Sequence, residues 1–174
     1  MRKIVAGFAC SLDGFIEGAS GEMDWILIDS EIDFAAYMSR FDAFLYGRRS
    51  YEAVIKMGVK PQPGSQHYVV SNTLEKAEAP FILLSGSVKE RITGLKQQQG
   101  KDIALFGGAT LLASLLDLQL VDEISVSIIP VLLARGRPMV DLLQNRVWLQ
   151  LKNTKSFVNG TVQINYTVTY QPPA

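Results

Sequence analysis

An apolar run, Ile103-Ala104-Leu105-Phe106, stops at Gly107-Gly108-Ala109 and gives way at once to a helical pattern from Thr110 to Leu116. A strand that becomes a helix across two adjacent glycines brings backbone N–H groups close to a ligand. The helix start that follows favours negative charge. This arrangement suits a pyrophosphate. A second junction repeats it with different chemistry: Phe44-Leu45-Tyr46 runs into Gly47-Arg48-Arg49-Ser50, setting two guanidinium groups and a hydroxyl at a helix start. Guanidinium binds phosphate through paired planar donors, while a basic side chain in a first turn opposes the helix dipole and so needs a reason outside the helix. Two anion sites at the ends of two strands point to a ligand with more than one phosphate, such as a dinucleotide.

The surrounding chain alternates strand and helix signals. Ile4 to Ala9 reads as a buried strand ending at the turn Ser11-Leu12-Asp13-Gly14; Glu31 to Phe41 has helical spacing and Ser30 or Asp29 to cap it. A strand at 43–46, a helix at 49–57, strands at 68–70 and 81–84, and a helix at 88–99 closed by Gly100 follow. This order predicts an α/β fold with a largely parallel sheet covered on both faces. After Val121 the pattern changes to long strand-like runs at 124–131, 147–157 and 161–170, the last two alternating around the hairpin signal Asn159-Gly160. The sheet is therefore expected to end in antiparallel strands, and residues 1–174 to form one domain.

Composition narrows the function classes. Apolar residues make up 48% and charged residues 20%, which excludes a disordered chain, and 17 basic residues balance 17 acidic ones without a charge block. Broad electrostatic attraction to nucleic acid or membrane is not expected. Met1-Arg2-Lys3 leads into only a short apolar run before Asp13, so neither a signal peptide nor a membrane span is read there and a cytoplasmic location is expected. The lone cysteine, Cys10, reads as a small buried hydrophobe, and no His or Cys cluster offers a transition-metal site.

The remaining candidates are polar or aromatic residues near strand ends. Ser71-Asn72, directly after a strand, can bind a ribose or phosphate, although both are ordinary turn residues. His67, the only histidine, has no nucleophile motif around it, so a structural reading leads. The acidic stretch Asp24, Asp29, Glu31 and Asp33 is explained by a helix start, or by a carboxylate pairing with an N–H edge of a flat heterocycle. Trp25, Phe34 and Tyr37 would add stacking surface or core.

Taken in order, Ser11-Leu12-Asp13-Gly14, Gly47-Arg48-Arg49-Ser50-Tyr51-Glu52, Val69-Val70-Ser71, Phe106-Gly107-Gly108, and Val121-Asp122-Glu123-Ile124 with Pro130-Val131 and Gly136-Arg137-Pro138 resemble the dihydrofolate-reductase-like superfamily. The closest resemblance is to the pyrimidine reductase domain of bacterial riboflavin synthesis, and it covers nearly the whole chain. It implies a three-layer α/β/α fold with a mostly parallel twisted sheet, and a reductase that takes hydride from NADPH. By the same resemblance Arg48, Arg49, Ser50, Gly107, Gly108, Ala109 and Thr110 cradle the cofactor phosphates. Ser71 and Asn72 meet the adenosine 2′-phosphate, and Ala9 to Ile16 form the nicotinamide edge. A cis Gly107-Gly108 peptide is also implied. Asp13, Trp25, Glu31 and Phe34 would then line the substrate pocket, with Asp13 or Glu31 orienting or protonating a C=N or C=O acceptor. The folate-type carboxylate falls on Glu31, or on Asp33 after a shift of two.

Two departures keep other readings open. Many relatives have Arg at the position of Asn72, which leaves NADPH and NADH both in play, and Leu112 stands where folate reductases have an aromatic residue. One alternative is the riboflavin-pathway reductase itself, acting on 5-amino-6-(5-phosphoribosylamino)uracil with Arg135 and Arg137 at the substrate phosphate. The other is a dinucleotide-binding module without turnover. The Val-, Ile- and Tyr-rich terminal strands leave a sheet edge needing cover, and a homodimer would supply it.

Overall fold

The computed structural model describes residues 1–172. In chain order the elements are β1 (Ile4–Ser11), β2 (Phe15–Gly18), α1 (Phe34–Ser39), β3 (Phe41–Gly47), α2 (Arg48–Lys56), β4 (Gln66–Val70) and β5 (Phe81–Leu84). They continue as α3 (Val88–Gln97), β6 (Asp102–Leu105), α4 (Ala109–Asp117), β7 (Glu123–Ile129), β8 (Gly136–Pro138), β9 (Trp148–Ser156) and β10 (Val162–Thr169). Eight strands form one sheet in the order β5-β4-β3-β6-β1-β7-β10-β9, while β2 and β8 pair as a separate antiparallel ribbon. From β5 to β7 every pairing is parallel; β10 is antiparallel to β7, and β9 to β10. The expected mostly parallel sheet with antiparallel C-terminal strands is thus present.

The apolar runs of the parallel strands reflect burial on both faces. On one face Ile4, Ala6, Ala43, Leu45, Ile103 and Leu105 meet Ile92 and Leu95 of α3 and Leu112, Leu115 and Leu116 of α4. On the other, Val5, Phe44, Tyr46, Val69 and Ala104 meet Tyr51 and Val54 of α2, with Tyr37 and Met38 of α1 packed alongside. Alternation along each strand sends consecutive side chains to opposite helix layers, which gives the three-layer arrangement. Leu112 belongs to this core, at 3% exposure.

The sequence expectation for the first helix needs correction. In place of a helix over 31–41, α1 spans Phe34–Ser39 and is capped by Asp33, whose carboxylate accepts from the Ala36 N–H at 2.8 Å. Asp29 does not cap it: its carboxylate accepts from the Glu31 N–H at 2.9 Å, a local turn that competes with helix. At the other end Phe41 pairs with Asp102 as the first residue of β3 and is 2% exposed, so sheet burial overrides its helical spacing. Helix α3 likewise stops at Gln97, short of Gln99. Gly100, at φ +148°, lies against the Asp42 carboxylate, where a Cβ would come within 2.7 Å of an oxygen.

At the N-terminal edge of the parallel sheet, side chains pair with one another. Glu123 at the start of β7 accepts from Lys3 and Arg40 at 2.8 Å each and from Lys152 at 2.9 Å. Burial alone would push its carboxyl up, but these three donors hold it down at about 2. Arg40 also binds Asp102 at 2.8 Å, Lys96 binds Asp122 at 2.6 Å, and Arg2 pairs with Asp42. The far edge strand β9 is exposed along almost all its length, and Lys152, Lys155 and a bulge facing Asn165/Tyr166 make it a poor template for further pairing.

Candidate cofactor site

The chain leaves β1 for β3, winds outward to β5, and returns as β6 between β3 and β1. Beyond the carboxyl ends of these strands lies the crevice that such a reversal creates in an open α/β sheet. Both junctions singled out in the sequence open there. Gly47, the last residue of β3, donates its N–H to the Gly107 carbonyl at 3.4 Å, and Phe106 donates to Leu45 at 2.8 Å, so the two turns lie side by side. The Gly107-Gly108 peptide is cis, as the resemblance implies, and Gly107 sits at φ +71°, which disfavours any residue with a side chain. A Cβ there would come within 2.9 Å of the Ser50 hydroxyl. Backbone and hydroxyl therefore form a tight cradle from two elements.

Each turn supplies the N-cap of a nine-residue helix: Gly47 for α2 and Gly108 for α4. Neither helix has a side-chain cap or an acidic residue in its first turn. Their first-turn N–H groups consequently have no capping side chain as partner, and both dipoles favour an anion at this edge. Ala109, buried, and Thr110, exposed, open α4 beside them.

Arg48 opens α2 from an exposed position. Its Nε donates to Glu52 at 2.7 Å and its Nη1 to the Thr73 hydroxyl at 3.0 Å. This links α2 to the turn after β4, where the Ser71 hydroxyl accepts from the N–H groups of Thr73 at 3.2 Å and Leu74 at 3.1 Å. Asn72 turns the other way, its side-chain carbonyl accepting from the Gly86 N–H at 2.8 Å. Arg48 and Ser71 are thus brought together, while Asn72 braces the neighbouring loop. Thr73, not singled out in the sequence, is the bridge; only its place directly after Ser71-Asn72 hinted at it. Arg49 is exposed and faces a polar groove of about 420 Å³ shared with Glu17, Gly18, Ala19, Gly136, Arg137 and Asp141. Arg137 of β8 is paired with Glu17 of β2.

The candidate substrate residues are more dispersed. Ala9 lies on β1 opposite Ser127, half-buried, and Ile16 lies half-buried on β2. Asp13 accepts from the Ser11 hydroxyl at 2.6 Å and from the N–H groups of Leu133 at 3.1 Å and Ala134 at 2.8 Å. The Ser11 hydroxyl and these amides hold its carboxyl below the usual range, so Asp13 is ionised and ties the end of β1 to the loop before β8. Glu31 is exposed, with a long 3.9 Å contact to Lys155. Among the described residues no hydrogen bond or ion pair joins it to Asp13. Trp25 is half-buried, its indole N–H donating to the Glu22 carbonyl at 3.1 Å, and Phe34 is 60% exposed with its ring 6.5 Å from that of Tyr37. Tyr37 in turn packs its phenol over the bare Cα of Gly7 on β1.

Among the described residues no group of three or more His, Cys, Asp or Glu could hold a metal ion, and no helix is long and apolar enough to cross a membrane. Residues 2–163 match the family model described as the RibD C-terminal domain. The chain is 36% identical to the uncharacterized protein YyaP of Bacillus subtilis, covering 95% of this chain and 94% of that protein. Among solved structures, a putative riboflavin biosynthesis protein from Shewanella sp. PV-4 superposes with a TM-score of 0.86 at 22% identity, covering 97% of this chain and 99% of that one. A dihydrofolate reductase from Enterococcus faecalis superposes with a TM-score of 0.67 at 14% identity, covering 95% and 96%. By sequence match and by architecture, the chain belongs to the RibD C-terminal domain family and has a dihydrofolate-reductase-like fold.

Proposed function

We propose that this protein is an NADPH-dependent reductase of a small planar heterocycle, transferring hydride to a C=N or C=O acceptor. The observation that carries the reading is the pairing of two glycine-capped helix starts, at Gly47 and Gly108, around the Gly107–Ser50 cradle. A pyrophosphate fits there because it brings oxygen acceptors to N–H groups that the protein leaves open. The similar E. faecalis reductase is described as complexed with NADP(H), which supports the choice of cofactor.

In this reading the cofactor supplies hydride from its nicotinamide ring, and the protein binds, aligns and excludes water. Gly107, Gly108, Ala109, Thr110, Arg49 and Ser50 hold the pyrophosphate. Arg48 and Ser71, with Asn72 bracing their loop, hold the 2′-phosphate through charge-assisted hydrogen bonds. Ala9 and Ile16 border the nicotinamide, and Trp25 and Phe34 offer the acceptor ring flat surfaces. Asp13, fixed as an anion, positions the loop over the acceptor, and Glu31 passes on, from water, the proton that the acceptor nitrogen or oxygen takes up as hydride reaches its carbon. The test is oxidation of NADPH, followed by loss of its absorbance, with dihydrofolate and pyrimidine intermediates as acceptors. Turnover with one of these is expected; tight cofactor binding with no turnover for any acceptor would make the protein a dinucleotide-binding module instead.

The groove that joins Arg49 to Arg137 favours one narrower reading, reduction of 5-amino-6-(5-phosphoribosylamino)uracil, because its guanidinium groups can meet a substrate phosphate. Growth of a strain lacking that reductase when this chain is supplied would support the narrower reading, and failure to grow despite soluble expression would remove it.

A further inference from the structure

His67, the second residue of β4 and in register with Phe44 of β3, is 3% exposed in a box of aromatic rings. Its imidazole stacks on Phe44 at 4.9 Å and on Tyr46 at 5.8 Å and meets the edge of Phe81 at 5.6 Å. Its Nδ1 lies 3.0 Å from the Tyr46 hydroxyl and its Nε2 2.8 Å from the Ser65 hydroxyl. Ser65 donates its own proton to the Gln62 carbonyl at 2.5 Å. Counting protons along this chain selects one tautomer. With Ser65 committed to Gln62, Nε2 must donate to Ser65, and Nδ1 must accept from Tyr46. The opposite tautomer leaves the Gln62 carbonyl without the Ser65 proton and the phenol proton without a partner.

Tyr46 connects this chain to the candidate site. It directly precedes Gly47, whose N–H binds the Gly107 carbonyl, and its ring lies 5.5 Å from that of Phe106 beside the Gly-Gly turn. We infer that His67 is a positioning residue for the cofactor turns: its neutral imidazole accepts the Tyr46 proton and fixes the phenol, and protonation of the ring reverses that bond, turns the phenol proton away and weakens cofactor binding. The inference rests on the reading of the site as an NADPH site.

The surroundings make the ring sensitive. The groups packed against it are Phe44 and Tyr46 from β3, Phe81 from β5 and Ser65 from the preceding loop. From α2 Tyr51 packs against Phe81, its hydroxyl accepting from the Glu78 N–H. Among the described residues no charged side chain meets the ring. Burial pushes His67 below its ordinary range, opposed only by the Gln62 carbonyl, and pushes the Tyr46 phenol up to about 12, so the phenol remains a proton donor. On protonation Nδ1 becomes the donor and the phenol oxygen the acceptor, so the bond reverses and the phenol proton is left without its buried partner.

The test compares NADP+ binding by wild type, His67→Gln and Tyr46→Phe at about pH 7.5 and about pH 5, with the single histidine followed by NMR in the wild type. NADP+ is used because it survives acid, and titration of its own 2′-phosphate affects all three proteins alike. Wild type is expected to lose at least about threefold more affinity than either variant on acidification, with a midpoint at the His67 pKa and an Nε2–H tautomer at neutral pH. Tyr46→Phe keeps the histidine titration but removes its effect on binding. Superimposable profiles for wild type and both variants, or an Nδ1–H tautomer, would overturn the coupling alone; absence of NADP+ binding at every pH would overturn the functional reading and the coupling with it.

Discussion

The two edges of the parallel sheet satisfy their polar groups in opposite ways. At the N-terminal edge Lys3, Arg40 and Lys152 converge on Glu123, and Arg2–Asp42 and Lys96–Asp122 close further pairs. At the C-terminal edge two helices begin at glycines without side-chain caps, and Arg48 pairs with Glu52 of its own helix while its other arm reaches the neutral Thr73. The same strands are thus latched by their own charges at one end and left with open donors at the other. Charge pairs between separate strands and helices mark the end that stabilises the fold, and uncapped helix starts mark the end proposed to take a ligand.

Mutations at the two ends should separate binding from stability. The largest effect is expected from Gly107→Val, which places a branched side chain at positive φ against Ser50. NADPH affinity should fall by on the order of 100-fold in a titration, with the fold retained by circular dichroism. Unchanged affinity would show that the cradle is only a packing turn.

At the opposite edge Glu123→Gln should cost about 3 kcal/mol in denaturant unfolding, because three cations lose their buried partner, and should leave cofactor affinity unaltered. The pH dependence has a definite sign. The Glu123 carboxyl is held near 2 in the fold against an ordinary value of 4.5. Its contribution is therefore present above pH 4.5 and is lost as pH falls toward 2. The stability difference between wild type and Glu123→Gln should shrink across that window. A constant difference would remove Glu123 from the ionic latch.

A smaller effect is expected at Arg48. Arg48→Ala should weaken NADPH by about tenfold and NADH hardly at all, since only the former carries the 2′-phosphate. Equal losses would move Arg48 from the 2′-phosphate to the pyrophosphate. The smallest is Lys155→Ala, which removes a long, exposed contact to Glu31 and should change stability by less than about 0.5 kcal/mol.

What the sequence made legible follows from the range of the interactions involved. The parallel strands were readable because each is a short apolar run bounded by turn residues, and the two cofactor turns because Gly, Arg and Ser act locally. Strands β2 and β8 were not: Phe15 pairs with Pro138 across more than a hundred residues, and neither short segment carries a strand signal of its own. The first helix was overdrawn because helical spacing continues through Phe41, where only tertiary burial decides for the sheet. Asp13 stood out as a carboxylate near the nicotinamide edge, but its partners Leu133 and Ala134 come from a distant loop. The Arg48–Thr73 bridge was hidden for the same reason.

The central claim is that the C-terminal edge is an NADPH site, and parallel titrations of the wild-type protein with NADPH and NADH, followed by nicotinamide fluorescence, test it most directly. Saturable binding of NADPH at least about tenfold tighter than NADH is the predicted result. Binding of neither nucleotide would contradict it.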